Sequence, residues 1–345
     1  MPQSAIPPGR HAPVRPEWLN KRREEILEPD LPIVDPHHHL WDRPGNRYLF
    51  QDLLEDVGSG HNIVATCFEE CREMYRADGP QEQKSLGETE FVDGVAAMSA
   101  SGKYGPARCC AGIIGNVDLR IGSRAKGILE QHVAVSGGRF KGIRNGATWH
   151  EDPSLSIYCS GAPQGLYRDR NFREGFAGLA SLGLAFDAWL FHTQLSDVAD
   201  LARAFPQATI VLNHVGALAI GPYAGKSEEA FAEWRDGVRQ VASFPNTYVK
   251  LGGLGMKLTG FTFFENDMPP SSEDLEKAWR PYIETCINAF GPQRSMFESN
   301  FPVDKGMCSY PVMWNAFKRI AAGCSADEKT ALFSGAAKKA YHLPL

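Results

Sequence analysis

The sequence predicts an α/β fold in which eight parallel strands close into a (β/α)8 barrel. Eight short β-type runs recur along the 345 residues, and stretches with helical periodicity lie between most of them. This alternation implies βα units that share a parallel sheet. Eight such units in one domain favour a closed barrel over an open doubly wound sheet. The first run is not followed by GxGxxG, which weakens a dinucleotide-binding alternative.

The predicted elements alternate in order along the chain. The strands are residues 33–40 (IVDPHHHL), 62–70, 109–119, 140–148, 183–190, 209–216, 246–254 and 295–302 (SMFESNFP). The helices are residues 88–101, 123–134, 171–183, 195–206, 228–243 and 272–291. Residues 149–171 and 255–275 are insertions after the fourth and seventh strands. Barrel enzymes build their sites on the loops that follow the strands, so both insertions are expected near the site.

The domain organisation predicted is an arm followed by one barrel. Residues 1–30 are rich in proline and arginine and are predicted to form an extended arm, which covers part of the barrel or a neighbouring subunit, or is a loose tail. Residues 31–345 are predicted to form a single (β/α)8 barrel domain. A chain of roughly 300 residues buries about three quarters of its unfolded surface, so this core needs no disulfide.

Composition limits the classes of partner. The net charge is −5 and the pI is about 6.1, without long runs of one sign, so nucleic acid and membrane surfaces are poor partners. The eight cysteines form no CxxC pair, which is typical of reduced thiols in a cytoplasmic protein. The expected partner is a small carboxylated substrate, and the barrel surface and arm are compatible with a homo-oligomer.

Histidines mark the ends of several predicted strands. His37 and His39 lie two residues apart and therefore project from the same face of the first strand. Such a pair either chelates a first-row metal ion or forms a hydrogen-bonded polar strand end. His192 follows the fifth strand, and His214 and Asn300 end the sixth and eighth. The carboxyl-terminal mouth of a barrel would gather all of them.

Four motifs together resemble the amidohydrolase superfamily. DPHHHLWD, GIRN, LNHVG and MFESNFPVDK are similar to its amidohydrolase-related branch, which includes sugar-acid lactonases and pyrone-dicarboxylate lactonase. The resemblance extends over residues 31–343 and implies an amidohydrolase-like TIM barrel. It implies metal ligation by His37, His39 and His192, with zinc as the expected divalent ion. It also implies a catalytic or polarising role for His214.

The sequence departs from the family pattern at Asn300, where the resemblance implies a metal-binding aspartate that acts as general base. A neutral amide adds no charge and accepts no proton near pH 7. Three explanations stay open: the metal binds more weakly, the base lies elsewhere, or no metal is needed. The substitute bases are Glu298, Glu69, Asp304 and His214. Glu298 is as readily a paired core carboxylate, and Asp304 is expected to form a salt bridge with Lys305 or an arginine.

Several residues are candidates for substrate binding. Arg144 in GIRN is expected to hold a substrate carboxylate, unless it forms a structural ion pair. Lys250 points either into the mouth or outward between helices. Three residues of the 149–171 insertion would either close over the anion or remain solvated: Tyr167, Arg168 and Arg170. Aromatic residues elsewhere would form apolar walls around the substrate: Trp41, Tyr48, Phe261, Phe263 and Phe264.

The predicted activity is hydrolysis of a cyclic ester, or of a related carbonyl compound, that carries a carboxylate. Water would attack at the histidine cluster, with metal assistance, while Asn300 orients the water and His214 stabilises the oxyanion or transfers the proton. A second hypothesis is non-oxidative decarboxylation of an aromatic or unsaturated acid. A third is a catalytically inactive homologue that only binds its ligand.

Overall fold

The computed structural model describes residues 9–219, 223 and 226–344, and these form ten strands. The strands are β1 (Ile33–His38), β2 (Trp41–Arg43), β3 (Asn46–Tyr48), β4 (Ile63–Glu69), β5 (Arg108–Gly115), β6 (Phe140–Gly146), β7 (Ala185–Trp189), β8 (Ile210–Leu212), β9 (Thr247–Lys250) and β10 (Ser295–Met296). β2 and β3 form a separate antiparallel hairpin that the sequence did not predict.

The other eight strands form one parallel sheet in the order β1-β4-β5-β6-β7-β8-β9-β10. Backbone hydrogen bonds join β1 to the segment after β10, because Asn300 N donates to His37 O at 2.9 Å and His39 N donates to Phe301 O at 2.7 Å. These bonds bring the two edges of the sheet together. The predicted (β/α)8 barrel is confirmed.

Helices flank the barrel strands. They are α1 (Pro16–Leu19), α2 (Phe50–Val57), α3 (Leu86–Ala100), α4 (Ala125–Val135), α5 (Arg170–Ser181), α6 (Leu195–Ala204), α7 (Ser227–Ala242), α8 (Ser272–Phe290), α9 (Tyr310–Ile320), α10 (Ala326–Thr330) and α11 (Ala336–Ala340). Helices α3 to α8 match the six predicted ones. None of these helices combines the length and apolar character that crossing a membrane requires.

Local sequence explains where a helix such as α8 begins and ends. Ser271 Oγ accepts the N–H of Asp274, whose carboxylate accepts the N–H of Ser271 in return. This reciprocal capping satisfies backbone donors that have no partner within the helix. Gly291 follows the last turn with a φ of 77°, a conformation that glycine adopts without a Cβ penalty.

The barrel interior is apolar at its lower end and polar near the mouth. The lower layer includes Ala185, Tyr248 and Met296, all in one buried apolar cluster. Side chains two apart on a strand share a face. Asp187, Lys250 and Glu298 each follow one of these three residues by two positions, so their side chains also point into the barrel, one layer closer to the mouth. All three are fully buried.

Four predicted strands end four or more residues early, and two of them do so just before candidate site residues. Regular pairing stops at Leu212 and Met296, short of the predicted ends at 216 and 302. His214 has a φ of 54° and Asn300 a φ of 54°, which a pleated strand cannot accommodate. Such backbone strain costs on the order of 1–3 kcal/mol per residue and clusters at functional sites.

Candidate active site

The site is built from side chains at the carboxyl ends of β1, β8 and the segment after β10. His37, His214 and Glu298 offer ligand atoms within 4.8 Å of one another, and all three are buried. His39 joins them, since its Nε2 lies 3.3 Å from His37 Nε2. The predicted convergence of separate chain segments is therefore present for four of the candidate residues.

Glu298 lies between two histidines. Its Oε1 accepts a hydrogen bond from His214 Nδ1 at 2.7 Å, and its Oε2 lies 2.9 Å from His37 Nδ1. The second contact is electrostatic, because its angle lies outside hydrogen-bond geometry. Burial lowers the pKa of His214, and the charge of Glu298 opposes that shift. His214 is therefore neutral near pH 7 and carries its proton on Nδ1, which leaves Nε2 with a lone pair.

Two glycines make room for this pair. A Cβ on Gly253 would lie 2.4 Å from His214 Cγ, and a Cβ on Gly252 would lie 2.5 Å from Glu298 Cγ. Gly253 also has a φ of 72°. The GGLG stretch after β9 has the wrong spacing for a dinucleotide motif, and the structure gives it a steric role: it lets the backbone pass beside the histidine and the carboxylate.

The tautomer of His37 decides what the histidine pair can do. His39 Nδ1 donates to the Glu69 carbonyl at 2.8 Å, so His39 Nε2 carries a lone pair. Burial lowers the pKa of both His37 and His39 well below the usual range. With its proton on Nε2, neutral His37 donates to His39 and accepts from Lys250 Nζ at 3.2 Å. That arrangement is a complete hydrogen-bonded chain.

With its proton on Nδ1, His37 faces Glu298 and its Nε2 is bare. Glu298 Oε2, which has no hydrogen bond among the described residues, then faces the positive end of the Nδ1–H bond at 2.9 Å, a contact that is electrostatic only. The Nε2 lone pairs of His37 and His39 would face each other across 3.3 Å, an arrangement that fits a divalent cation held by both imidazoles. Arg144 Nη1 lies 3.4 Å from His37 Nε2 and offers that nitrogen an alternative positive partner.

Lys250 is fully buried and points into the barrel. Its Nζ donates to Glu69 at 2.9 Å and to Asp187 at 2.6 Å. Burial opposes the charged form, but the surrounding carboxylates outweigh it and raise the pKa of Lys250. His37, Glu69 and Asp187 form a second cluster with metal-type donors. This cluster does not fit a metal ion, because the Lys250 ammonium already lies among its donors.

Arg144 also has partners within the protein. Its Nε donates to Glu70 Oε1 at 2.9 Å, and its Nη2 donates to the Glu70 carbonyl. Its Nε is also 3.4 Å from Glu69 Oε1. These carboxylates raise its pKa against the effect of burial. The structural ion pair weighed for Arg144 is present, and its role towards a substrate stays a prediction.

Asn300 turns its amide towards the loop that follows β10. Asn300 Nδ2 donates to Asp304 Oδ1 at 2.8 Å, and Asp304 Oδ2 accepts from Gly255 N at 2.9 Å. Burial raises the pKa of Asp304 well above its usual range. The salt bridge expected between Asp304 and Lys305 or an arginine is wrong: Lys305 Nζ pairs with Asp56 at 2.7 Å, and Asp304 forms no salt bridge among the described residues.

His192 lies away from these contacts. Neither cluster of metal-type donors among the described residues includes it. Its Nδ1 accepts a hydrogen bond from Ala219 N at 3.4 Å, which places the ring proton on Nε2. Its ring packs edge-to-face against Tyr223, with ring centroids 5.5 Å apart. Burial lowers its pKa to about 4. The structure does not bring His192 to the His37–His39 pair, and its role as third ligand stays a prediction.

The candidate substrate-binding residues occupy different environments. Trp41 stacks on His39, with ring centroids 5.7 Å apart, and so forms an apolar side of the site. The Tyr167 hydroxyl donates to Asn145 O at 2.7 Å, and its ring packs against Phe172 in the core. Arg170 is exposed at the start of α5. The Tyr167 hydroxyl is therefore committed to the backbone rather than free for a ligand.

Asp187 is a site residue that the sequence analysis missed. It binds Lys250, and it accepts from Tyr341 Oη and from Asn213 Nδ2, at 2.9 and 2.7 Å. The available signal was a charged residue inside the apolar run AFDAWL, since a fully buried carboxylate needs a partner. Its partner Tyr341 lies outside every predicted element.

The sequence model of the family described as Amidohydrolase matches residues 34–343, nearly the whole chain. The chain belongs to the amidohydrolase family. This amidohydrolase is 33% identical over 339 residues to the uncharacterized protein y4mH of Sinorhizobium fredii, with 91% of this chain and 99% of that protein covered. It is 25% identical over 320 residues to an L-fucono-1,5-lactonase of Burkholderia multivorans, with 90% and 96% covered.

Solved structures agree with the barrel. The crystal structure of an amidohydrolase from Burkholderia multivorans with bound zinc matches this amidohydrolase with a TM-score of 0.68 at 25% identity. The match covers 90% of this chain and 99% of that chain. A relative of the family therefore binds zinc on the same fold.

Proposed function

We propose that this amidohydrolase is a lactonase that hydrolyses a cyclic ester carrying a carboxylate. The proposal depends on one observation, the buried hydrogen bond between His214 Nδ1 and Glu298 Oε1 at 2.7 Å. It supplies an imidazole base whose protonated form is stabilised by an adjacent carboxylate. The similarity to an L-fucono-1,5-lactonase over 90% of the chain supports a lactone as the substrate.

His214 moves the proton in this reaction. Its Nε2 takes a proton from water as the water oxygen bonds to the lactone carbonyl carbon, and Glu298 stabilises the imidazolium that forms. The tetrahedral intermediate then collapses and breaks the ring C–O bond. The leaving alkoxide takes the proton from His214 Nε2, so the product is a hydroxy acid and the enzyme is restored.

The same site offers a place for a divalent ion, and we propose zinc. His37 and His39 would hold it through Nε2, whereas His192, the third ligand that the resemblance implies, lies outside both clusters of metal-type donors among the described residues. A bound zinc ion lowers the pKa of water and polarises a carbonyl. Asn300 is positioned by Asp304, and we propose that its side chain orients the attacking water.

Trp41 is proposed to form one wall of the substrate pocket, since its ring lies stacked on His39. Arg144 and Lys250 already form ion pairs with carboxylates of the protein. We therefore propose that they make the electrostatic potential of the mouth positive and do not bind the substrate directly. The decarboxylase and binding-protein hypotheses have no separate observation in their favour and stay predictions.

The Glu298→Gln variant tests the proposal. The amide keeps the size of the side chain but removes the charge that stabilises the His214 imidazolium, so kcat on a lactone should fall by about 10²–10⁴-fold. Glu284→Gln in α8, an exposed partner of Arg280, is the control and should retain activity. Full activity in Glu298→Gln, with hydrolysis followed by acid release, would contradict the proposal.

A further inference from the structure

The N-terminal arm packs against both insertions that follow barrel strands. Arg10 Nη2 donates to Tyr158 O in the 149–171 insertion at 3.4 Å. Trp18 Nε1 donates to Asn266 O in the 255–275 insertion at 2.9 Å. Loops after barrel strands surround the mouth of a barrel. The arm therefore links two loops at the rim of the active site.

Arg10 lies among other cations at this rim. Burial, together with the positive charges of Arg144, Arg72 and Arg43, lowers the pKa of Arg10. Arg43 ends β2, Arg144 lies two residues before the end of β6, and Arg72 follows β4 by three residues. The hydrogen bond to Tyr158 O places the guanidinium of Arg10 against the 149–171 insertion at this rim, and the neighbouring positive charges disfavour its charge.

Two of these cations have anionic partners within the protein, whereas Arg10 has none in the part of the chain that the structure describes. Arg43 Nε binds Glu73 at 2.6 Å, and Arg144 Nε binds Glu70 at 2.9 Å. Among the described residues, no carboxylate lies within 4.0 Å of Arg10, and its guanidinium has the single hydrogen bond to Tyr158 O. A largely buried cation without a counter-charge is costly, and a bound anion would remove that cost.

We infer that Arg10 is an anion-binding residue of the active site and that it holds the carboxylate of the substrate. A guanidinium presents a planar fork of donors that matches a carboxylate. Arg144, the candidate that the sequence favours, has its Nε and Nη2 committed to Glu70. This inference deepens the proposed function and rests on it for the identity of the anion.

Citrate binding to the full chain, measured by calorimetry, tests the inference without any reaction. Arg10→Gln should weaken citrate binding by about 10–100-fold, because a hydrogen bond to a charged group is lost. Arg22→Gln is the matched control, since Arg22 lies on the same arm and, among the described residues, its guanidinium donates hydrogen bonds to Pro269 O alone. It should bind citrate like the wild type. Equal affinity in Arg10→Gln would overturn the inference.

Arg10→Lys keeps the positive charge but loses the planar pair of guanidinium donors. Its citrate affinity should therefore lie between those of the wild type and Arg10→Gln. If Arg10→Gln does not fold, Arg10→Lys decides, because unchanged affinity in that variant also contradicts the inference.

Kinetics connect the residue to the substrate. For Arg10→Gln, KM for a carboxylated sugar lactone should rise about 10–100-fold with little change in kcat, while KM for a neutral sugar lactone stays constant. Equal KM changes for the two lactones would overturn the assignment to the substrate carboxylate. If the wild type hydrolyses neither lactone, the proposed function fails, and the citrate measurement still decides the anion site.

Discussion

At the scale of single residues, the carboxylate that contacts the site histidines belongs to Glu298, two positions before the aspartate that the family pattern implies. The resemblance implies an aspartate at position 300, where this chain has Asn300. The carboxylate of Glu298 reaches His214 and His37, at 2.7 and 2.9 Å. A carboxylate therefore contacts the two histidines from position 298, while the amide at 300 donates to Asp304.

This arrangement predicts that Asn300→Asp destabilises the protein. The new carboxylate would face Asp304 across a contact that is now 2.8 Å, and both groups are buried. Two such carboxyls can stay close only by keeping a proton, which raises their folded-state pKa above the unfolded value. Stability is then lost as pH rises, so the loss should be about 1–3 kcal/mol at pH 8 and smaller at pH 5.

Urea unfolding at both pH values measures the effect. Asn266→Asp is the control, because Asn266 is exposed on the 255–275 insertion and the change should be neutral. An Asn300→Asp variant as stable as the wild type at pH 8 would show that the Asn300–Asp304 contact is not needed.

The positions of site residues were predictable where the alternation of side chains along a strand is enough to determine which way they point. Two-residue spacing brought His37 and His39 together, and it put Glu298 on the inward face. The position of His192 was not predictable, because it lies beyond the end of β7, where the chain turns and parity no longer applies. The partners of Asp187 depend on contacts between distant parts of the chain, which periodicity does not contain.

At the scale of elements, the existence and order of the strands were predictable, and their ends were not. The apolar runs that mark β8 and β10 continue past the last paired residue. Residues 214 and 300 adopt positive φ, which ends regular strand pairing, and histidine and asparagine are among the non-glycine residues most often found in that conformation. The hairpin β2–β3 is stabilised by a contact from Trp41 Nε1 to Asn46 Oδ1 at 3.1 Å, which the composition alone does not reveal.

The packing of α4 on α3 predicts a loss of stability in acid. His132 of α4 is buried and hydrogen-bonded to Ser85 and Thr89, and burial lowers its pKa to about 4. Its folded-state pKa lies below the unfolded value near 6.5, so its contribution is present above pH 6.5 and is lost as pH falls towards 4. Between pH 7.5 and pH 5 this single group should remove about 2 kcal/mol.

Comparison of the wild type with His132→Gln isolates that contribution. The free energy of unfolding should fall between pH 7.5 and pH 5 in the wild type, and by about 2 kcal/mol less in the variant. The same fall in both proteins would show that His132 titrates normally.

At the scale of the whole molecule, the described part of the N-terminal arm, residues 9–30, packs along the barrel. Lys318 Nζ donates to the carbonyls of Leu27 and Glu28 at 2.8 Å each, and Asn315 Nδ2 donates to Glu25 O at 2.8 Å. The alternatives of a covering arm and a loose tail could not be separated from sequence, because these contacts join residues almost 300 positions apart.

Gly306 provides a test of the arm. A Cβ at this position would lie 2.2 Å from Ala12 O, so Gly306→Ala should displace the arm and expose residues 9–28 to protease. Gly323→Ala is the matched control, because a Cβ there meets nothing within 4 Å. Limited proteolysis followed by mass spectrometry should show faster cleavage of the arm in Gly306→Ala alone. Equal cleavage rates in both variants would contradict the packing of Ala12 against Gly306.

The His214–Glu298 pair is tested most directly by the pH dependence of kcat/KM for a lactone. Activity requires neutral His214, so the rate should rise with pH through a midpoint below the usual histidine pKa, because burial lowers the pKa of His214. Glu298 opposes that shift, so in Glu298→Gln the remaining activity should rise through a still lower midpoint. A midpoint that is unchanged in Glu298→Gln, or that moves to higher pH, would contradict the assignment of His214 as the base and Glu298 as its partner.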